Sequence, residues 1–335
     1  MALGSKVNSA GKLSSRVFGL EAEAHGLADR LPDLVMQASR VAATVAQGIH
    51  GRRRAGAGET FWQFRHYQSA DAATQIDWRR SGSSDHLFVR EREWEAAHTV
   101  WLWSDHSPSM DFKSHLSHSF KRDRALVLMF AAGELLVRGG ERIALYELMA
   151  PTASRRAIPK MAEAIAGQFG KASGAGSQNY QVPQSLPPKV RLSRFATTVL
   201  FSDFLEPAEA TIARLSELAA DGASGHLVMV LDPAEESLPY EGRTEFVGLE
   251  GGERWLADRA ESLRDRYIAK LKAHRAQLEE ATRKLGWSLL VHHTDRPAEE
   301  ALLALTMRLS GLAHDYRARS NLAVATAGDA VRGEA

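Results

Sequence analysis

The amino-acid sequence predicts an α/β protein in which a mostly parallel sheet is covered by helices on both faces, with an additional small β-rich subdomain. From residue 98 onward, apolar runs of strand length alternate with longer amphipathic segments. These runs are continuously apolar rather than alternating with polar residues, which is typical of parallel strands buried on both faces. Before residue 98, short aromatic and β-branched pieces predict the β-rich subdomain.

The N-terminal third contains one predicted helix and several short strands. Residues 1–28 are small and polar, so we expect a flexible N-terminus. Apolar residues at helical spacing predict a helix from Leu31 to Gly48. Short strands are predicted at Thr60–Phe64, Gln75–Trp78 and His86–Arg90. We therefore assign residues 29–96 to a region that contains this helix and the β-rich subdomain.

Residues 97–314 carry the repeated strand and helix pattern of the α/β domain. Strands are predicted at 97–104, 142–148, 196–202, 226–231 and 287–292. Helices are predicted at about 119–138, 158–169, 207–220, 258–285 and 298–312. The Gly251-Gly252 pair predicts a hairpin insertion at about 240–257. Residues 315–335 are small and polar and are expected to form a flexible tail.

A short polar motif follows the first predicted strand of this domain. Asp105, Ser107 and Ser109 open the loop at alternate positions, and their oxygens are hard ligands that suit one Mg²⁺ or Mn²⁺ ion. Asp203 ends another strand, and the carboxyl ends of parallel strands share one edge of a sheet. We therefore expect Asp203 to support the same site. The alternative is that Asp105 and the serines only cap the next helix or form an Asx-turn.

This motif resembles the metal-ion-dependent adhesion site of von Willebrand factor A domains. Residues 201–204 resemble the later strand of that fold, whose aspartate, here Asp203, completes the site. The resemblance implies a von Willebrand A-like, Rossmann-like sheet and a metal site used for protein interaction. It also implies a threonine ligand from a loop between the two aspartates, for which Thr152 is the candidate.

A second signature lies upstream and is more specific. It consists of Gly56-x-Gly58-Glu-x-Phe61, Phe64-Arg65-x-Tyr67-x-x-x-Asp71, Ile76-Asp77-Trp78-Arg79 and Phe88-Val89-Arg90-Glu91. It resembles domain-of-unknown-function family fifty-eight over about residues 30–312. Members of that family often neighbour MoxR-type AAA+ ATPases. The resemblance implies a chaperone-like adaptor that works with such an ATPase in the assembly or maturation of a complex, with the partner supplying a carboxylate.

The Asp77-Trp78-Arg79 cluster has two interpretations. We favour a buried Trp78, with an ion pair of Asp77 and an arginine fixing the subdomain to the sheet. The alternative is a surface that contacts a partner and contains Arg65, Asp77, Trp78 and Arg79.

Composition excludes several classes of function. The chain has no cysteine and a formal net charge of +1, so thiolate chemistry is excluded and no whole-protein field attracts nucleic acid. No apolar run is long enough to span a membrane, and we expect a cytoplasmic protein. Two alternatives to a metal-dependent, non-enzymatic module remain open. One is a divalent-metal-dependent hydrolase in which Asp203 or Asp232 helps to activate water, and the other is a fold that binds partners without metal.

Overall fold

A computed structural model describes residues 29–47, 63–66, 78–82, 86–91, 98–172, 185–192, 196–249 and 253–310. Contacts divide them into two units. The large unit contains the described residues up to Ala46 and from Thr99 onward, and the small unit contains those between Gln47 and His98. Both predicted flexible termini and the Gly251-Gly252 turn lie outside the described residues. No helix in the described ranges is both long enough and apolar enough to cross a membrane.

Helix α1 covers residues 29–47 and is the first described element. It packs against a helix that begins at Lys121, because Arg30 forms a 3.0 Å ion pair with Asp123 and Ser39 Oγ donates to Glu134 Oε1 at 3.1 Å. Its apolar face joins the core of the large unit. The sequence-based assignment placed this helix in one region with the β-rich subdomain, whereas its contacts place it in the α/β unit.

The small unit contains an antiparallel pair of strands, β1 (Gln63–His66) and β2 (Phe88–Glu91). Between them in sequence lies a helical turn, α2 (Trp78–Ser81), which Gly82 closes by donating its N–H to the Trp78 carbonyl at 3.0 Å. The predicted strand at 75–78 is therefore wrong at Trp78, and its other residues lie outside the described ranges.

The strands of the large unit confirm the mostly parallel sheet. They are β3 (Thr99–Ser104), β4 (Arg142–Leu145), β5 (Met149–Thr152), β6 (Thr197–Ser202), β7 (Ser224–Leu231), β8 (Thr244–Val247), β9 (Arg254–Ala257) and β10 (Ser288–His293). Six of them form one sheet in the order β10-β7-β6-β3-β4-β5. Only the β4–β5 pair is antiparallel within it. Strands β8 and β9 form a separate antiparallel hairpin where the sequence predicts one.

Helices cover both faces of this sheet. They are α3 (Lys121–Arg138), α4 (Ala157–Ala172), α5 (Ala208–Ala219), α6 (Pro233–Ser237), α7 (Arg264–Lys284) and α8, residues 298–310. One apolar core contains residues of α1, α3, α4 and α8, and the other contains residues of α5 and α7. Every residue of the central strand β6 is buried, as expected for a strand in the middle of a parallel sheet.

The strand order decides which polar residues meet. Strands β3, β6 and β7 are parallel neighbours in the middle of the sheet, so their carboxyl ends lie at one edge. Each is followed directly by an aspartate: Asp105, Asp203 and Asp232. The sheet thus brings together residues that are about a hundred positions apart in sequence.

Candidate metal centre

The loop after β3 gathers side-chain oxygens at this edge of the sheet. The backbone N–H of Asp105 donates to the Phe201 carbonyl at 2.8 Å, which fixes the start of the loop against β6. The N–H of Ser107 then donates to Asp105 Oδ1 at 2.7 Å, so the chain forms an Asx-turn. A 3-10 turn follows at Pro108–Met110. The Asx-turn that the sequence offered as an alternative is therefore present, and the side-chain oxygens of this loop lie around it.

Asp203 completes this oxygen cluster, which we define as Asp105, Ser107, Ser109 and Asp203. The hydroxyl oxygens of Ser107 and Ser109 lie 3.1 Å apart, and Ser109 Oγ donates to Asp203 Oδ2 at 2.8 Å. Asp105, Ser107 and Asp203 are each at most 2% exposed. Neither serine hydroxyl caps a helix, since Ser107 makes no side-chain cap bond and the N-cap of α3 is Phe120.

The donor set of the oxygen cluster fits Mg²⁺ or Mn²⁺. Adjacent ligands of an octahedral ion with bonds of 2.0–2.1 Å lie about 3 Å apart, close to the two separations in the cluster. Carboxylate and hydroxyl oxygens are the ligands these ions prefer. No group of three or more His, Asp or Glu side chains suited to a metal occurs in the described part of the chain. An ion at this position would therefore be held by two carboxylates and two serine hydroxyls.

The Asp105 carboxyl group is buried and close to the negative charge of Asp203. Burial, assisted by the charge of Asp203, raises the pKa of Asp105 to about 7. The hydrogen bond from Ser202 Oγ, which is 2.6 Å from Asp105 Oδ2, and the bonds from Ser107 act in the opposite direction. A cation among these oxygens would favour the ionised carboxylate.

A buried lysine that the sequence analysis missed adjoins the cluster. Lys121 Nζ lies 2.9 Å from Asp203 Oδ2 and 2.5 Å from Glu235 Oε1, and its side chain is completely buried. Burial alone would lower the pKa of Lys121, but the charges of Asp203 and Glu235 outweigh it and raise that pKa. Lys121 is the first residue of α3, where the helix dipole disfavours a cation. A positive charge at the start of a helix is therefore the local sequence feature that could have drawn attention to Lys121.

Asp232 and Glu235 form a capping box at the start of α6. Asp232 Oδ1 accepts from Ala234 N at 2.9 Å, and Glu235 Oε2 accepts from Asp232 N at 2.9 Å. The loop before α3 also bonds to Asp232, because Ser114 N donates to Oδ2 at 2.9 Å and Ser114 Oγ to Oδ1 at 2.5 Å. Both carboxylate oxygens of Asp232 therefore hold loops together. The Asp-Pro-x-Glu pattern in the sequence is the signal for this cap.

Thr152 does not lie near the oxygen cluster, so the assignment of this threonine as a ligand is wrong. It is on β5 and pairs with Ile143, whose partner on β3 is Val100. Val100 is four residues before Ser104, which places Thr152 about 13 Å down the strand direction and about 10 Å across the sheet. The Thr152 hydroxyl instead accepts from Ser154 N at 3.2 Å.

The residues considered for partner contact are only partly described. Trp78 is 66% exposed, so our interpretation of it as a buried anchor is wrong. Arg79 is also exposed, whereas Arg65 lies on β1 and Asp77 is outside the described ranges.

Comparison with known proteins adds a family match. Residues 63–277 match the model of a family described as "Protein of unknown function DUF58". The uncharacterized proteins Rv1480 of Mycobacterium tuberculosis (strain H37Rv) and Mb1516 of Mycobacterium bovis are each 28% identical to this chain over 272 residues, which is 75% of this chain and 80% of theirs.

Two solved structures also match, at low similarity. One is an aerotolerance-related membrane protein from Bacteroides fragilis, with 14% identity and a TM-score of 0.36. The other is conserved hypothetical protein BatB from Bacteroides thetaiotaomicron, with 10% identity and a TM-score of 0.34. Each match covers 64% of this chain and 100% of the other.

Proposed function

The chain belongs to the family of proteins of unknown function DUF58, and from that premise we propose that it is a non-enzymatic, metal-dependent protein-interaction module. The observation that carries the proposal is the oxygen cluster at the carboxyl ends of β3 and β6. One Mg²⁺ or Mn²⁺ ion would be held by Asp105, Ser107, Ser109 and Asp203. Such ions keep several water ligands, and a carboxylate from a partner can replace one of them.

The family resemblance supplies the identity of the partner in this proposal. We propose that a MoxR-type AAA+ ATPase provides the carboxylate, and that the pair has a chaperone-like role in the assembly or maturation of a protein complex. We propose a cytoplasmic location on the basis of the cysteine-free composition.

No observation in the described residues favours the alternative, a metal-dependent hydrolase. Such an enzyme needs a carboxylate that is free to activate water. Both oxygens of Asp232 accept hydrogen bonds from Ser114, and one also accepts from Ala234. Asp203 accepts from Ser109 and Lys121. We therefore retain interaction, rather than hydrolysis, as the proposed function.

Calorimetric titration with Mg²⁺ and Mn²⁺ tests the proposal. The wild type is expected to bind one ion, and a Ser107→Ala/Ser109→Ala variant is expected to bind it much more weakly because two ligands are lost. Thr152→Ala is the matched control and should bind like the wild type, since this threonine is far from the cluster. Each titration is repeated with excess acetate, which substitutes for the carboxylate of a partner.

Two results contradict the proposal. The first is equal binding by the wild type and the double-serine variant, which would show that the ion binds elsewhere. The second is the absence of wild-type binding both with and without acetate.

A further inference from the structure

Strand β3 extends beyond its neighbour β4. The last pair between them is Leu102 with Leu145, and the last bond runs from Tyr146 N to the Leu102 carbonyl at 3.2 Å. The chain then turns back into β5 through Glu147, whose φ of 58° is left-handed. On the other side, the pairing of β3 with β6 continues to Ser104. Among the residues that the structure describes, the end of β3 thus has no neighbouring strand on the β4 side.

The backbone N–H and C=O of Ser104 face this open side. Backbone groups of alternate residues in a strand point to the same side, and those of Leu102 point to β4, whereas the N–H of Asp105 bonds to β6. The N–H and C=O of Ser104 therefore point past the end of β4. Within the described ranges, neither these groups nor its hydroxyl has a hydrogen-bond partner, although Ser104 is only 4% exposed.

Buried polar groups without a partner cost free energy, so native proteins satisfy nearly all of them. Two such backbone groups at an open strand edge, on a residue whose hydroxyl also has no partner among the described residues, indicate a place where another chain completes the hydrogen bonding. Addition of an extended peptide to a sheet edge is a common mode of peptide recognition.

A cavity of about 460 Å³ lies at the same place. Its walls include the apolar side chains of Leu102, Leu145 and Ile165 together with charged residues at 147, 189 and 214, and Gln168 on α4 is an exposed lining residue. Ser104 also lines it, and Asp105 of the oxygen cluster is the next residue in the chain. The apolar part of these walls therefore adjoins both the open strand edge and the candidate metal centre. We call this combination of the open edge of Ser104 and the cavity the β3 notch.

We propose that the β3 notch binds an extended segment of the partner in which an apolar residue adjoins the acidic residue that reaches the metal centre. The main chain of that segment bonds to the N–H and C=O of Ser104, and its apolar side chain fills the cavity. This inference rests on the proposed function and specifies the chemistry of the partner. It implies that the partner is recognised by an acidic–apolar pair, because a single carboxylate would leave the notch empty.

Nuclear magnetic resonance with short peptides tests this inference. The probe is a mixture of acetylated, amidated tetrapeptides that contain Glu next to Leu, Ile, Val or Phe. The control mixture has Ser in place of the apolar residue. Before peptide is added, the Ser104 amide is expected to exchange with solvent faster than the amides of Leu102 and Asp105. The apolar mixture is expected to slow this exchange and shift the resonances of Ser104 and Leu145, and the serine mixture is not.

A matched pair of variants on α4 locates the binding. Gln168→Trp puts a large side chain into the cavity and is expected to weaken binding about tenfold, since the apolar side chain of the probe loses its place. Glu163→Trp introduces the same side chain at an exposed position of the same helix that does not line the cavity, and should bind the probe normally.

Three results would overturn the inference. The first is a Ser104 amide already as protected as that of Leu102 in the free protein, which would show that the chain itself fills the notch. The second is equal binding of the apolar and serine mixtures, or no binding of either. The third is unchanged binding by Gln168→Trp.

The same titrations in Mg²⁺ and in a chelator separate this inference from the proposed function. If the apolar probe protects Ser104 equally in both, and calorimetry detects no metal, the notch is confirmed and the metal-dependent function fails. If metal binds but no probe protects Ser104, the metal centre is confirmed and the notch fails.

Discussion

Lys121 Nζ lies 2.9 Å from Asp203 Oδ2, and the side chains of both residues are at most 3% exposed. The same carboxylate oxygen accepts the hydrogen bond of Ser109. One oxygen therefore connects the oxygen cluster to the only positive charge that bonds to it in the described residues. Since Lys121 also bonds to Glu235, this cation joins the carboxyl ends of β6 and β7 to the start of α3.

Lys121→Met is expected to lower the free energy of unfolding by about 3–5 kcal/mol, the usual cost of removing one partner of a buried ion pair. The change leaves Asp203 and Glu235 buried without their cation. Urea unfolding at neutral pH measures the loss. The triple variant Lys121→Met/Asp203→Asn/Glu235→Gln removes the charges together and should recover most of it. A loss below about 1 kcal/mol in the single variant would contradict a strong buried pair.

Although Lys121→Met is expected to lower the free energy of unfolding, it should increase the affinity for metal. Under conditions in which Lys121→Met remains folded, we expect it to bind Mg²⁺ about tenfold more tightly than the wild type, because a positive charge next to the site is removed. Lys121→Arg keeps the charge and serves as the control. Weaker binding by Lys121→Met would instead show that the main role of the lysine is to position Asp203.

The raised pKa of Asp105 predicts how stability depends on pH. Between about pH 4 and pH 7 the folded protein keeps a proton that the unfolded chain, with its ordinary pKa of 3.8, releases. The free energy of unfolding therefore falls as pH rises through this window. Asp105→Asn removes that contribution, so the variant should gain stability relative to the wild type as the pH increases. Thermal unfolding in a chelator from pH 4 to pH 8 measures the difference.

The hydrogen bond from Ser202 provides the control for this experiment. It favours the ionised form of Asp105, so Ser202→Ala should raise the pKa of the folded form and extend the fall in stability to higher pH. Mg²⁺ should reduce the fall, because the cation favours the carboxylate. Parallel pH profiles for the wild type and Asp105→Asn would contradict the raised pKa.

Two glycines allow a matched test of packing. A Cβ at Gly225 on β7 would lie 2.1 Å from the nearest atom of the Trp287 ring, whereas a Cβ at Gly167 on α4 would meet nothing within 4 Å. Gly225→Ala is expected to cost about 1–3 kcal/mol through overpacking. Gly167→Ala should gain about 0.5–1 kcal/mol, since alanine favours a helix interior. Equal effects of the two changes in urea unfolding would contradict the close contact with Trp287.

The central strands could be predicted because local sequence determines them. Runs of mainly apolar and β-branched residues identify β3, β6 and β7, and each is followed by an aspartate. The rule that ligands gather at the carboxyl ends of parallel strands then predicts that Asp105 and Asp203 lie close together. The structure brings both into the oxygen cluster with Ser107 and Ser109.

The wrong predictions concern residues whose positions depend on tertiary contacts. The prediction of one strand at 142–148 is wrong after Leu145, because residues 146–148 form a turn. Tyr146 and Leu148 are apolar, and nothing in the sequence indicates the positive φ of Glu147. This turn places Thr152 on an antiparallel edge strand, far from the cluster. The contacts of Lys121 span 82 and 114 residues, so its position at the start of a helix could mark it as unusual but could not identify its partners.

The position of α1 has a consequence for how the protein is made. Because α1 packs on α3 but is separated from β3 by the whole small unit, the large unit is discontinuous in sequence. During synthesis, α1 leaves the ribosome before α3, and more than seventy residues lie between the two helices in the chain. The apolar face of α1 therefore has no partner until α3 emerges. A truncation that begins at β3 would retain every strand of the central sheet and still expose the apolar surface that α1 covers. Recombinant fragments intended to isolate the α/β unit should therefore keep residues 29–47, joined to Thr99 by a linker.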